Sequence, residues 1–292
     1  MSESHVSEES PVRWVLEDGL LIVTIDHPPV NALSHAVRVG LMEAAERLDA
    51  DAAAQAMVLC STGTVFIGGA DIREFSGPRR SPMLNEVCHR FEACAKPVIA
   101  AVHGAALGGG LEVALASHYR VAASAAVVAF PEVLLGLLPG AGGTQRAPRL
   151  CGAALALDLM LTGRRIPAAE AMAARLVDVL DDAPREYAKQ WARQLIARGG
   201  MLPRARDGQA LLDKETARAE ALQAMERVVH ADDHAFARER ILRCVMAAID
   251  LPFGPGAQVE GDAFLECLAS PEREQLVAQF FAARAARKPQ NS

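Results

Sequence analysis

The sequence predicts an α/β protein with a helical C-terminal region. Three observations predict this. Short apolar runs such as AMVLCS (56–61) and VIAAV (98–102) have strand length and are bounded by turn residues. Helical periodicities stand between such runs, the order expected of a parallel-type sheet. After Pro131 the strands thin out, and from about 184 to 250 nearly everything reads as helix.

In chain order, VRWVLEDGLLIVTID (12–26) reads as two strands joined at Asp18-Gly19, a hairpin signal. PPVNALS follows as a loop. Ser34 can cap a helix running to about Asp49, with Val37, Leu41, Ala44, Ala45 and Leu48 on one face. AMVLCS is a buried strand, and TGTVFIGGADI (62–72) is a glycine-punctuated loop leaving it. Residues 83–95 read as a helix stopped by Lys96-Pro97. VIAAV is the next strand. His103 and Gly104 lead through ALGGGLE (106–112) into a helix over LEVALASHY. YRVAA (119–123) and AVVAF (126–130) read as strands, and 153–161 and 167–175 as helices. LPFGPGAQ (251–258) reads as a loop before two last helices near 261–269 and 271–287. The expected organisation is a frayed segment 1–10, a β-rich core 11–180, a helical region 181–250 and terminal helices within 251–292.

The 292 residues are 51% hydrophobic and 23% charged, a globular balance with ample length for a large core. A net charge of -6 gives no electrostatic footprint for nucleic acid or for an anionic membrane surface. Cys60, Cys88, Cys94, Cys151, Cys244 and Cys267 form no CxxC pair and read as buried thiols of a reducing compartment. MSESHVSEES lacks the basic and apolar regions of a signal peptide, and no apolar run is long enough to span a bilayer. The expected location is the cytoplasm.

The glycine triplet of ALGGGLE is poor helix or strand material. It is no dinucleotide fingerprint, because the sixth position from Gly108 is Val113. Neither it nor PGAGGTQR (139–146) has the lysine of a P-loop. What remains is a strand passing through glycines into a helix whose first N–H groups are unpaired and favour an anion. A tight packing turn is the simpler reading of the triplet alone. FIGGADI (66–72) is a second glycine loop leaving a buried strand, and two such loops could each offer one donor to a single oxygen, as an oxyanion hole requires. Glu112 and Glu132 each stand at a strand-to-helix junction in apolar surroundings. Either could be a dipole-favoured helix-start carboxylate. Together, with pKa values split by burial, they could act as general acid and base. His103 precedes the triplet without a partner pattern. No cluster has metal-ligand spacing, and no G-x-S-x-G elbow occurs. Arg284, Arg287 and Lys288 read as a solvated helix face.

The stretches NALS (31–34), FIGGADIREF (66–75), KPVIAAVHGAALGGGLEVALA (96–116), FPEVLLGLLPGAGGTQR (130–146) and LTGRRIPAAEA (161–171) together resemble the enoyl-CoA hydratase/isomerase, or crotonase, superfamily. The resemblance implies a spiral of ββα units with a helical C-terminal region used in trimer or hexamer assembly. It implies that the N–H groups of Ala70 and Gly109 hold the thioester oxygen of an acyl-CoA, and that Ala70, Asp71, Ile72 and Arg73 lie along its CoA moiety. Glu112 and Glu132 match the two catalytic glutamates of hydratases. No metal or redox cofactor is implied, since CoA belongs to the substrate.

Retention of both glutamates favours hydration of a trans-2-enoyl-CoA over Δ3,Δ2-isomerisation, which needs one. LPFGPGAQVEGDAFLECLASPEREQLVAQFFAARAARK (251–288) further resembles the linker that follows the hydratase part of multifunctional β-oxidation enzymes. This leaves a third reading, a non-catalytic acyl-CoA-binding subunit that pairs with a separate dehydrogenase.

Overall fold

The computed structural model describes residues 4–5, 10–208, 213–228 and 234–286. Strands β1 (Ser4–His5), β2 (Val12–Glu17), β3 (Leu20–Ile25), β4 (Ala56–Ser61), β5 (Val98–Val102), β7 (Tyr119–Ala122) and β10 (Val179–Leu180) form one sheet in the order β1-β2-β3-β4-β5-β7-β10. The β2–β3 hairpin pairs Glu17 with Leu20 across Asp18 and Gly19, both at positive φ. From β3 to β10 every pairing is parallel, as the alternating pattern predicts. A second sheet holds β6 (Ala105–Leu107), β8 (Val127–Ala129) and β9 (Ile166–Pro167). The expected fraying of residues 1–10 falls mostly outside the described residues; within them, Ser4 and His5 pair antiparallel with Val15 and Trp14.

Helices α1 (His35–Ala50), α2 (Leu84–Ala93) and α3 (Gly109–Ala116) fill the crossovers. The Ser34 side chain caps α1 by accepting from Val37 N, and Val37, Leu41, Ala44, Ala45 and Leu48 are all buried against the sheet. Next come α4 (Gly143–Cys151), α5 (Ala153–Thr162), α6 (Ala168–Ala173) and α7 (Pro184–Arg198). Ala188 and Ala192 of α7 cover the opposite face of the sheet, over Ile22, Val58 and Ile99. Finally come α8 (Lys214–Val228), α9 (Ala235–Asp250), α10 (Phe253–Leu268) and α11 (Pro271–Ala286). Ala217, Ile241 and Cys267 join the same buried cluster as Leu41 and Phe66, so the C-terminal helices share the core of the sheet. Arg287, Lys288 and the side chain of Arg284 lie outside the described residues.

One expectation is corrected. LPFGPGAQ is not a loop: α10 begins at Phe253 and runs straight through it. Pro255 falls in the first turn, where its missing N–H costs nothing. Gly256 serves packing rather than turning, because a Cβ there would lie 2.2 Å from Gln145 Oε1. Among the described residues, no helix is long and apolar enough to cross a membrane.

The parallel strands end on one edge, and the two glycine loops leave from it. Ile67 N donates to Ala105 O and Leu107 N to Ile67 O, so the loop after β4 is stitched to β6. Gly110 permits this contact, since a Cβ would sit 2.4 Å from Ile67 O. Gly110→Ala should therefore cost about 1–3 kcal/mol of stability by overpacking. A urea midpoint equal to wild type would show that the Ile67 backbone yields freely.

Candidate active site

Glu112 sits in the first turn of α3 and is 2% exposed. Its Oε1 accepts from Ala141 N at 2.7 Å and Gly143 N at 2.8 Å. Burial pushes its carboxyl up to about 7, while these two N–H groups and Arg146 pull the other way. Glu132 follows β8 and Pro131 in a short 3-10 turn. The residue is half-buried, but its Oε2 is enclosed and has no hydrogen-bond partner. Burial first, and the charge of Glu112 second, hold its carboxyl well above the usual range. The two acids expected to converge are thus brought into each other's field with unequal surroundings: Glu112 is held by two backbone donors from another turn, and Glu132 has only its own backbone N–H and an Oε2 with no partner among the described residues.

The triplet explains their approach. Gly108 is at φ +52°, and a Cβ on it would lie 2.6 Å from Glu132 Oε1. Gly109 opens α3, so its N–H has no intrahelical acceptor. A Cβ on Gly109 would be 3.6 Å from Ala70 N, which places the two expected donors side by side. Neither N–H donates a hydrogen bond to another described residue. Ala70 is fixed by its bridge to Leu33, where Leu33 N donates to Gly69 O at 2.9 Å.

The 70–73 segment continues from the donor pair. Asp71 is buried and grips Arg73 through Nε at 2.9 Å and Nη2 at 2.7 Å. The Arg73 bond holds the Asp71 carboxyl below its usual range. The Arg73 side chain remains 75% exposed, leaving a cation at the rim. Arg38, which sequence reasoning missed, staples the following loop. It donates to Leu33 O at 2.9 Å, Pro82 O at 2.8 Å and Glu74 Oε2 at 2.8 Å. Segment 77–87 thus starts as a loop tied back to α1 and ends in α2. His103 stands apart from the carboxylates, with Nε2 3.1 Å from Gly63 O.

Sequence reasoning also missed a third buried acid, Glu260 of α10, 2% exposed. It accepts from Gly142 N at 2.6 Å, Thr144 N at 3.0 Å and the Thr144 hydroxyl. Burial, then the charge of Glu112, push its carboxyl up to about 8. Beneath the same turn, Arg146 donates to Ala141 O at 2.9 Å and pairs with Glu92 at 2.8 Å, both side chains fully enclosed. A signal for Glu260 was present. Phe253, Gly256, Glu260, Ala263 and Cys267 are the buried stripe of α10, and an acid on such a stripe is conspicuous once the helix is placed correctly.

Two N–H groups that donate to no described residue, beside two acids of unequal surroundings, form an arrangement able to take up a carbonyl oxygen that gains charge while protons move nearby. A model of the enoyl-CoA hydratase/isomerase family matches residues 16–240, and the chain belongs to that family. It is 39% identical over 287 residues to a peroxisomal bifunctional enzyme of Danio rerio, covering 94% of this chain and 38% of that protein. It is 42% identical over 175 residues to a probable enoyl-CoA hydratase of Bacillus subtilis, covering 58% of this chain and 68% of that one. Among solved structures, an enoyl-CoA hydratase/isomerase from Pseudoalteromonas atlantica matches with a TM-score of 0.68 at 25% identity, over 97% of this chain and 100% of that chain. The family resemblance and the fold read from the sequence are borne out.

Two outcomes follow. Arg38→Ala should cost about 2–4 kcal/mol, because it leaves buried carbonyls unpaired, and should open the 71–82 loop to trypsin at Arg79 and Arg80. A protease pattern equal to wild type would refute the staple. The second concerns pH. Glu112 at about 7 and Glu260 at about 8 bind protons in the fold that the unfolded chain, with carboxyls near 4.5, has already lost. Their contribution is therefore full below about pH 4.5 and is lost as pH rises through 7 and 8. Burial pushes His118 down to about 4, which acts in the opposite sense but only below its unfolded value of 6.5. Unfolding free energy should thus fall by roughly 1–3 kcal/mol between about pH 6.5 and 8. Urea titrations across that interval check it, and a flat or rising curve would show that the acids are not protonated in the fold.

Proposed function

We propose that the chain hydrates a trans-2-enoyl-CoA to the corresponding 3-hydroxyacyl-CoA. The observation that carries this reading is the inequality of the two carboxyls beside the Ala70 and Gly109 N–H groups. The thioester oxygen lies between those donors. Both acceptor bonds of Glu112 fall on Oε1, which leaves Oε2 to orient a water and take its proton. The water oxygen bonds to the β-carbon, and the π electrons move through the α-carbon to the thioester oxygen, where the two N–H groups stabilise the enolate. Glu132, kept protonated by burial and by the charge of Glu112, delivers its proton to the α-carbon, and the enolate collapses to the thioester. A proton passing from Glu112 to Glu132 resets the pair. Atoms balance with one water added, and no electrons are exchanged, so the step needs no cofactor beyond the CoA of the substrate. The 70–73 segment, with exposed Arg73, carries the CoA moiety.

A second reading is Δ3,Δ2-isomerisation. The same donor pair and the Glu132 carboxyl suffice to shuttle a proton between the α- and γ-carbons. Trimeric or hexameric assembly and a separate dehydrogenase partner belong to the same proposal by family resemblance. A reducing setting such as the cytoplasm suits the free thiols.

The test is loss of conjugated-thioester absorbance from crotonyl-CoA and longer 2-enoyl-CoAs. Wild type should consume them, and Glu112→Gln and Glu132→Gln should each lower kcat by about 10²–10⁴-fold. Wild type that binds these esters without consuming them sinks hydration. Turnover of 3-enoyl-CoA alone would establish isomerisation instead.

A further inference from the structure

Glu260 lies beyond the residues that the family model matches, yet it stands one peptide away from Glu112 along the same turn. The N–H groups of residues 141 to 144 point alternately to two carboxylates. Ala141 and Gly143 donate to Glu112, and Gly142 and Thr144 donate to Glu260. Successive peptides of one turn cannot move independently, so a shift of the even-numbered pair displaces the odd-numbered pair as well. Arg146 holds the Ala141 carbonyl from below, and Phe264 of α10 lies against Gly140, where a Cβ would come within 2.4 Å of its ring.

We propose that Glu260 is a positioning residue for Glu112, clamping the Gly142 and Thr144 N–H groups so that those of Ala141 and Gly143 stay aimed at the Glu112 carboxylate. The kinetic part of this proposal rests on the hydration reading, whereas the coupling between the two acids does not. The groups that face Glu260 are Glu112 on α3, Arg146 on α4, Cys244 on α9, Cys88 on α2 and Glu132 beyond β8. Burial and the neighbouring charge of Glu112 both disfavour the charged form of Glu260. The link from Glu260 to Glu112 is the run of four N–H groups that the two carboxyls share. Loosening the clamp weakens the two N–H bonds that hold the Glu112 carboxyl down, so Glu112 must then ionise at higher pH.

The experiment uses Glu260→Gln and Glu260→Ala in the full chain. Glutamine keeps one acceptor oxygen and decides the matter if the alanine variant fails to fold. Carbon-13 NMR of δ-labelled glutamates follows the Glu112 carboxyl, assigned by its disappearance in Glu112→Gln. Its midpoint should rise in Glu260→Gln, and an unchanged or lowered midpoint overturns the proposal. On enoyl-CoA, kcat should fall roughly ten- to hundredfold with KM nearly constant, and the acid limb of the pH profile should move up with the NMR midpoint. A fall in kcat without that movement, tracking lost stability alone, also overturns it. A raised midpoint in a protein whose wild type consumes no enoyl-CoA supports the clamp and refutes hydration.

Discussion

Four successive backbone N–H groups hold two buried carboxyls at once, and the rest of the site depends on that sharing. A carboxylate removed from water must find donors or take a proton. The turn at the start of α4 supplies donors in pairs, to Glu112 from one side and to Glu260 from the other. Such a turn needs small residues. A Cβ on Gly143 would press on Glu112 Oε1 at 2.8 Å, and one on Gly142 would meet Arg146 Nη1 at 1.9 Å. The run PGAGGT is therefore shaped by the atoms it must admit: two carboxylates, a guanidinium and an aromatic ring.

The same logic answers the triplet after β6. The parallel strands deliver two loops to one edge, and backbone must approach backbone there for the Ala70 and Gly109 donors to lie together. Gly108 admits the Glu132 carboxyl, Gly109 opens α3 with an unspent donor, and Gly110 admits Ile67 O. Each glycine answers a different neighbour. The triplet is three separate accommodations made in one turn of chain.

Much of this was legible in the sequence. Short apolar runs of strand length and the 3.6-residue period placed β2 through β5 and α1 within a residue or two, because their buried faces are complete and their ends carry strong signals such as Ser34 and Lys96-Pro97. Glu112 and Glu132 stood out as acids at strand-to-helix junctions, although each alone also reads as a helix-start carboxylate, whereas Ala70 and Gly109 were singled out only by the family resemblance of their loops. Arg38 and Glu260 were not. Arg38 sits on an amphipathic helix where an arginine is ordinarily solvated, and only the return of the 80–82 loop buries it. Glu260 was hidden by a reading of glycine and proline as loop residues. Pro255 in a first turn and Gly256 under Gln145 belong inside a helix, and starting that helix eight residues late removed the periodicity that exposes the acid.

The location of Glu260 changes what the C-terminal helices are. A helix that merely covered the core could be replaced by any apolar surface. Helix α10 instead supplies a carboxylate to the turn that holds Glu112, a ring over Gly140, and through Phe264 an edge-on contact with Phe75 at 6.3 Å, beside the segment that starts at Ala70. At its other end Phe253 lies beneath the guanidiniums of Arg146, Arg149 and Arg206. Removing water from Glu112 is what raises its carboxyl toward neutrality, and this helix packs on the turn that gives Glu112 its two donors. The groups proposed to act on the substrate come from the first half of the chain, but the turn that holds Glu112 is itself held from beyond residue 250. The helix is thus part of the site in electrostatic terms, although it supplies none of the groups assigned to touch the substrate.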